Sequence, residues 1–251
     1  MIKKKVKKTD KVGKKIRKID NYNFFYRNFK IALYDFKKIK VYFWILTFLF
    51  FFSTLVGFLF PVFFVEQIME MLLELVKRTE GMGTFDLIRF IMTNNTQSAF
   101  LAMIFGLVLG IFPLFMITIN GYILGFVSRL TVDQEGFFIL WRLLPHGIFE
   151  IPAILIATAL GLRLGFLLMH EVIKVNSKNI KTIWEIFIIL FSVLFWYVGF
   201  FVYLAFTFSS KELRTGLWIN IKESFRIFVF VVIPLLVVAG IIEGLLIGFG
   251  G

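Results

Sequence analysis

The sequence has no cysteine and only two histidines among its 251 residues. Without cysteine the chain cannot form disulfides or thiolate metal sites, and two histidines leave too few ligands for a catalytic zinc site. No group of serine, aspartate or metal ligands has the spacing of a hydrolytic site. We therefore expect no bound metal, no cofactor and no enzymatic activity.

Charged residues are also scarce. They make up 18% of the chain, whereas apolar residues make up 59%. In a soluble domain about 25% of the residues are charged and about 45–50% are apolar. Five runs have the roughly 20 apolar residues that a helix needs to cross a bilayer: 41–65, 99–127, 137–169, 183–208 and 227–249. None alternates strictly, which excludes a membrane barrel. The predicted fold is all-α: a polytopic helical membrane protein with about five membrane segments, Pro/Gly-interrupted helices and interfacial amphipathic helices.

The excess positive charge lies in the first 40 residues, which hold 15 Lys and Arg against three Asp, so the remainder is neutral. Basic residues beside a first span keep that end in the cytoplasm. We expect a multi-pass protein of the cell membrane with a cytoplasmic amino terminus. The expected division is a basic cytoplasmic tail with an interfacial helix, 1–40, and a helical membrane domain, 41–251.

The basic tail is expected to adhere to anionic lipid, because each lysine near such a surface adds about 1 kcal/mol. No base-stacking motif supports nucleic-acid binding, and we expect none. An interfacial helix is predicted where four apolar residues recur at three- and four-residue spacing, with basic side chains reaching toward headgroups. The apolar set is Phe25, Phe29, Leu33 and Phe36, and the basic set is Arg27, Lys30, Lys37 and Lys38.

The segment 66–97 is predicted to be an external loop. Its first part, 66–81, has the pattern of an amphipathic surface helix, and the whole segment carries five acidic against three basic residues. Asn94, Asn95 and Thr96 are expected to cap the helix that follows.

The run 137–169 has two readings. If it crosses the membrane once, the loop with Lys174, Lys178 and Lys181 is external, against the charge bias; if part of it is re-entrant, that loop is cytoplasmic. We favour a single crossing that starts at Pro145, because proline suits the first position of a helix. A short interfacial helix would precede it.

Polar groups occur within this run, in the stretch LLPHGIFEIP at 143–152. At helical spacing one face is polar at one end and small throughout: His146, Glu150, Ala153, Ala157, Gly161 and Gly165. Small residues four apart allow close approach of membrane helices, so this face is predicted to be buried against protein. Arg163 lies on another face and is expected to snorkel to the interface.

Two other runs share this pattern. The run 99–127 places Gly106, Gly110, Pro113, Ile117 and Gly121 on one face, with Gly125 continuing it and Asn120 beside it, and Pro113 should kink the helix. The last run has Gly240, Gly244 and Gly248 beside Glu243. We expect one intramembrane polar cluster of Asn120, His146, Glu150 and Glu243. Asn120 is more readily explained as packing, whereas a membrane carboxylate is functional by default.

Three spans with small residues four apart offer more close-packing surface than one copy needs, so we expect a homo-oligomer or contact with other membrane or envelope proteins.

The motifs NGYILG (120–125), PHGIFEIPAILIATALGLRLG (145–165) and IIEGLL (241–246) together resemble the stage II sporulation protein M family. The resemblance covers the chain from about residue 40. It implies an integral membrane component that, in sporulating bacteria, assembles with cell-wall-degrading partners at the septum. The family's signature positions would be Asn120, Pro145, His146, Gly147, Glu150 and Glu243. The Lys, Ile and Phe richness is typical of an AT-rich or archaeal genome, where sporulation is absent, so the family transfers more directly than the role.

Two functions follow from these features. The first is a structural scaffold that recruits membrane partners, with the polar cluster holding a rigid core. The second is a transporter or channel, in which interrupted helices and intramembrane carboxylates form a midplane site. No inverted repeat is evident, which favours the scaffold.

The predicted orientation can be tested with single cysteines, since the native chain has none. In intact cells a membrane-impermeant thiol reagent should label Gly83→Cys and should not label Asp10→Cys, because the basic tail holds its end in the cytoplasm. The reverse pattern would contradict the orientation, and the wild-type chain is the blank.

Overall fold

The computed structural model describes residues 23–106, 111–177 and 211–250, and within these ranges the regular elements are helical. In chain order they are α1 Phe24–Asp35, α2 Lys40–Leu59, α3 Val65–Thr79, α4 Thr84–Phe105, α5 Ile111–Glu135, α6 Leu140–Ser177, α7 Lys211–Ile227 and α8 Ile233–Gly250. Short 3₁₀ turns, Phe36–Lys38 and Phe137–Ile139, precede α2 and α6, and a π-helical turn, Phe228–Val232, joins α7 to α8. The tail residues 1–22 and the expected span 183–208 lie outside the described residues.

Four helical stretches are long and apolar enough to cross a membrane: Lys40–Leu59, Phe112–Glu135, Gly147–Leu167 and Arg214–Gly248. The predicted fold class, a polytopic all-α membrane protein, is confirmed.

One further helix traverses the bundle although it is less apolar. α4 lies antiparallel to α8 along its length, since Gly248, Gly244 and Gly240 of α8 pack in turn on Thr84, Ile88 and Met92. Near the other end, the rings of Phe100 and Phe228 have their centroids 5.6 Å apart. α4 therefore covers the same depth as the α8 membrane span.

The expected second span, 99–127, is wrong in its bounds, because two helices share it. α4 ends at Phe105, and α5 begins at Ile111. The polar residues Asn94, Asn95 and Thr96, expected to cap a helix, lie inside α4, which starts at Thr84 after Gly83. The predicted run started only at residue 99 because the preceding part of α4 carries polar residues. The segment 66–97 is consequently two helices, α3 and most of α4, rather than a loop.

The directions of the helices follow from these contacts. We call the end of the bundle where α2 begins the tail end and the opposite end the far end. α5 runs parallel to α2, because Gly121 packs on Phe50 and Gly125 on Thr54. α6 runs back, since its Phe166 stacks on Tyr42 at the start of α2 with ring centroids 6.0 Å apart.

This order resolves the two readings of 137–169. Residues 140–177 form one helix, so the run crosses once. Because 84–135 traverses the bundle twice rather than once, α6 ends at the tail end with Lys174 near its terminus. A single crossing and the charge bias are therefore compatible. α6 begins at Leu140 rather than at Pro145, which corrects the predicted start.

α6 is the central helix of the bundle. It packs on α2, α4, α5, α7 and α8, and 61% of its most apolar stretch is buried, against 22–33% for the other candidate spans. The small face predicted from the sequence is buried: Ala153, Ala157, Gly161 and Gly165. The prediction that this face packs against protein is confirmed.

Glycines bring the helix backbones into direct contact. A Cβ atom on Gly161 would overlap the carbonyl oxygen of Ala102 in α4, and one on Gly125 would overlap that of Thr54 in α2. On α8, a Cβ at Gly244 would overlap Ile88. These glycine faces are used within one copy, so they give no reason for self-association, and the expected homo-oligomer needs another surface.

The π-helical turn before α8 has a local cause. Pro234 cannot donate to the carbonyl four residues earlier, and its ring crowds that carbonyl. That residue, Phe230, lies within the turn Phe228–Val232. A π turn is a common place for a helix to bend, and here α7 meets α8.

The α4–α6 contact predicts a sharp effect of one methyl group. Gly161→Ala should destabilise the protein by about 1–3 kcal/mol, the usual cost of overpacking, because the new methyl meets backbone that cannot move aside. Gly216→Ala in α7 is the matched control, since nothing lies within 4 Å of its Cβ position, and alanine is the better helix former by up to about 1 kcal/mol. Unfolding midpoints in detergent should fall for the first and not for the second. Equal midpoints would contradict the close contact.

Candidate functional site

Two carboxylates meet between α6 and α8. Glu150 lies on α6 just before the small face, and Glu243 lies on α8. Glu243 follows buried Leu236 and Ala239 at three- and four-residue spacing, which directs it to the interior of the bundle. Both are half-buried, and they are close enough for the charge of Glu243 to act on Glu150. We call Glu150 and Glu243 the carboxylate pair.

The other two members of the expected cluster are placed less closely. Asn120 lies half-buried on α5, and in the described part of the chain its side chain makes no hydrogen bond with Glu150. His146 lies in α6 one turn before Glu150, as the sequence predicts, but its side chain and that of Pro145 fall outside what the structure describes.

The residues expected to break or pack helices fall into two groups. Pro113, Gly121, Gly125, Gly161, Gly165 and Gly244 are buried. Gly147 differs, because a Cβ atom there would touch only Ile151 of its own helix, at 3.4 Å. Glycine is therefore not needed for close packing at position 147.

The chemistry open to the carboxylate pair follows from its setting. Two negative charges held close together in an apolar medium repel one another and are poorly solvated. A shared proton or a bound cation would relieve both costs. The pair is thus able to hold one positive charge within the bundle.

A second polar group, not foreseen in the sequence, lies at the tail end. Arg163 of α6 donates from Nη2 to Asn220 Oδ1 at 2.6 Å and to Glu223 Oε2 at 3.2 Å, both on α7. The other oxygen of Glu223 accepts from Lys38 Nζ at 2.5 Å. Lys38 also pairs with Asp35 at 2.9 Å. We call these five residues the charge network.

Two members of the charge network are buried, and Lys38 is exposed. Arg163 is 6% exposed and Asp35 5%, and Arg226 adds a more distant pair with Asp35 at 3.6 Å. Hydrogen bonds satisfy Asp35 and Glu223, whereas Nη1 of Arg163 is buried without a hydrogen-bond partner among the described residues. The network joins α1, α6 and α7, elements from distant parts of the sequence, at one point.

One sequence prediction fails at this network. Arg163 does not snorkel to an interface, because α7 covers it and supplies Asn220 and Glu223. Lys38 is exposed and pairs with Asp35 and Glu223, so its reach toward headgroups stays a prediction. The spacing of Asn220 and Glu223, one turn apart, signals a polar helix face. No local signal pairs that face with a residue about 60 positions earlier.

Electrostatics keep Lys38 charged. Partial burial by itself lowers the pKa of Lys38, but its hydrogen bonds to Glu223 and Asp35 outweigh that effect and raise the pKa above 10.5. A raised pKa stabilises the fold at every pH below the ordinary value, and the contribution disappears only as the pH rises through the folded-state pKa. Lys38 is therefore charged at neutral pH.

The comparison with known families decides the identity of this bundle. Residues 46–246, from within α2 to within α8, match the family described as stage II sporulation protein M. The chain belongs to the stage II sporulation protein M family. The resemblance seen in its motifs is thereby confirmed. α1 and the basic tail precede the part that matches the family.

The chain is also similar to one archaeal protein. An uncharacterized protein of Methanocaldococcus jannaschii is 33% identical over 137 residues, which is 55% of this chain and 46% of the relative. The chain thus spans about half the length of the curated relative it matches. No solved structure matches it.

Removing one member of the charge network tests how much the network contributes to the free energy of unfolding. Arg163→Met should lower the free energy of unfolding by about 1–3 kcal/mol, because Asn220 and Glu223 lose a hydrogen-bond donor inside the bundle. Arg78→Met is the matched control: its pair with Glu74 is exposed and should cost at most about 1 kcal/mol. Denaturant titration in detergent measures both, and a small, equal loss would show that the network contributes no more than a surface pair.

Proposed function

We propose that this protein is a structural or recruiting component of a membrane complex, held rigid by the packing around α6. The observation that carries the proposal is the backbone-to-backbone contact of helices at Gly161, Gly125 and Gly244. Such contacts leave no space for a solute between α4 and α6, between α2 and α5, or between α4 and α8. A carrier needs structural repeats that move relative to each other about a central site. A scaffold, by contrast, benefits from a rigid bundle.

The proposed orientation puts the tail end in the cytoplasm. The basic tail precedes α2, and Lys174 near the end of α6 lies at the same end of the bundle, so both conform to the positive-inside rule. α3, with Glu66, Glu70 and Glu74, then lies on the outside. It is an amphipathic helix beside the membrane, suited to meet lipid headgroups and envelope proteins.

A transporter or channel is the second candidate, and the carboxylate pair favours it. Intramembrane carboxylates are costly and are commonly found on ion or proton paths. In the scaffold, by contrast, Glu150 serves packing and hydrogen bonding. Glutamine at position 150 has nearly the same volume and keeps two hydrogen-bonding groups, but it cannot exchange a proton.

Glu150→Gln separates the two functions. Wild-type protein, reconstituted in liposomes under a membrane potential, should pass protons and sodium no faster than protein-free liposomes. In native membranes Glu150→Gln should keep wild-type abundance and the same co-purifying partners. Glu66→Gln on exposed α3 controls for the loss of one charge outside the bundle.

The opposite result is equally specific. Ion flux above the protein-free level that Glu150→Gln abolishes and Glu66→Gln retains would reject the scaffold and establish the carrier. A wild-type chain that purifies from native membranes without any partner would also contradict a recruiting role.

A further inference from the structure

The outward face of α4 is polar over most of its length. Asp86, Arg89, Thr93, Asn94 and Gln97 are all exposed. They lie opposite the residues that pack inside the bundle: Thr84, Ile88 and Met92 against α8, and Ala102 and Met103 against α6. We call these five exposed residues the α4 polar face.

This polar face lies at membrane depth. Met92 packs on Gly240, close to the middle of the apolar run of α8. Thr93 and Asn94 follow directly and therefore lie near the mid-depth of the bundle. Hydrocarbon offers no hydrogen-bond partner, and side-chain amides facing lipid there would carry a large unsatisfied cost. Lipid is therefore a poor environment for this face, and within the described residues no other part of the chain covers it.

The chemistry of the face is complementary to itself. An open groove of about 670 Å³ along it is lined by two basic and two acidic side chains, Arg78, Glu80, Asp86 and Arg89, and by Thr93, Asn94 and Gln97. Within the described residues, neither Asp86 nor Arg89 makes an ion pair. The amides of Asn94 and Gln97 both donate and accept. A ligand of one charge would leave either Asp86 or Arg89 unmatched, whereas an identical surface offers a partner to each.

We propose that a second copy of this chain covers the α4 polar face, forming a two-fold symmetric dimer. Copies inserted in the same orientation are related by an axis along the membrane normal, so equal residues meet at equal depth. Asn94 and Gln97 then bond to their counterparts, and Asp86 of each copy lies within reach of the partner's Arg89. The interface uses interhelical polar contacts rather than glycine packing. The proposed dimer goes beyond the proposed function, because it is compatible with a scaffold and with a carrier alike.

Cysteine cross-linking in native membranes tests the dimer. Under mild oxidation Gln97→Cys and Thr93→Cys should form a species of twice 29.3 kDa, at several times the yield of Leu55→Cys, which is exposed on α2. An adduct of another mass would identify a different partner and overturn self-association. Labelling of Gln97→Cys by a membrane-impermeant reagent without a dimer would mean a water-lined face, and neither dimer nor label would mean a lipid-facing one. Either result overturns the proposal.

Charge reversal distinguishes a second copy from any other polar partner. Asp86→Lys or Arg89→Glu alone should raise the dimer dissociation constant about tenfold or more in a liposome dilution series, because like charges then face each other. The double variant, Asp86→Lys with Arg89→Glu, should return it to near the wild-type value. A double variant as weak as the single ones would overturn the symmetric pairing. These outcomes are independent of ion flux and of co-purifying partners, so they do not depend on the proposed function.

Discussion

Direct contact between helix backbones around α6 is the constraint on which the rest of the structure depends. Apolar side chains give no net attraction between helices in lipid, which is itself apolar, so close packing has to hold them together. Glycine supplies it wherever a Cβ atom would overlap backbone, as at Gly161 against α4 and Gly125 against α2. The cost is rigidity, since each such contact fixes the distance and register of two helices.

Polar groups lie toward the two ends of the apolar stretch of this central helix, Gly147–Leu167, and have different roles. Glu150 and Arg163 are separated by about 20 Å along α6 at 1.5 Å per residue. Arg163 is bonded to Asn220 and Glu223, so its charge serves to fasten α7 and α1 to the bundle. Glu150 lies near another carboxylate, and two like charges repel each other, so this pair does not hold the helices together. The contrast explains why the charge network is a structural device and the carboxylate pair is the more promising place for chemistry.

What the sequence could predict depended on how local the signal was. The helical fold and the buried small face of α6 follow from spacing within single segments, and the family follows from a resemblance of short motifs; the structure or the family match confirms them. The division of 99–127 between α4 and α5 did not follow, because hydropathy treats a polar helix such as α4 as a loop. The partner of Arg163 did not follow either, since Asn220 and Glu223 are about 60 residues away and pairing across that distance has no sequence period. Helix starts were also missed, as at Leu140, where Pro145 offered a plausible but incorrect beginning.

The misjudged α4 carries the strongest consequence. A helix that traverses the bundle with exposed Asn94 and Gln97 is too polar to lie in lipid alone, yet its inner face is fully engaged with α6 and α8 through Ala102 and Met92. The glycine faces, which the sequence suggested for assembly, are already occupied within the chain. The proposed contact with a second copy therefore uses the polar residues rather than the small ones, and hydropathy alone assigns those polar residues to a loop.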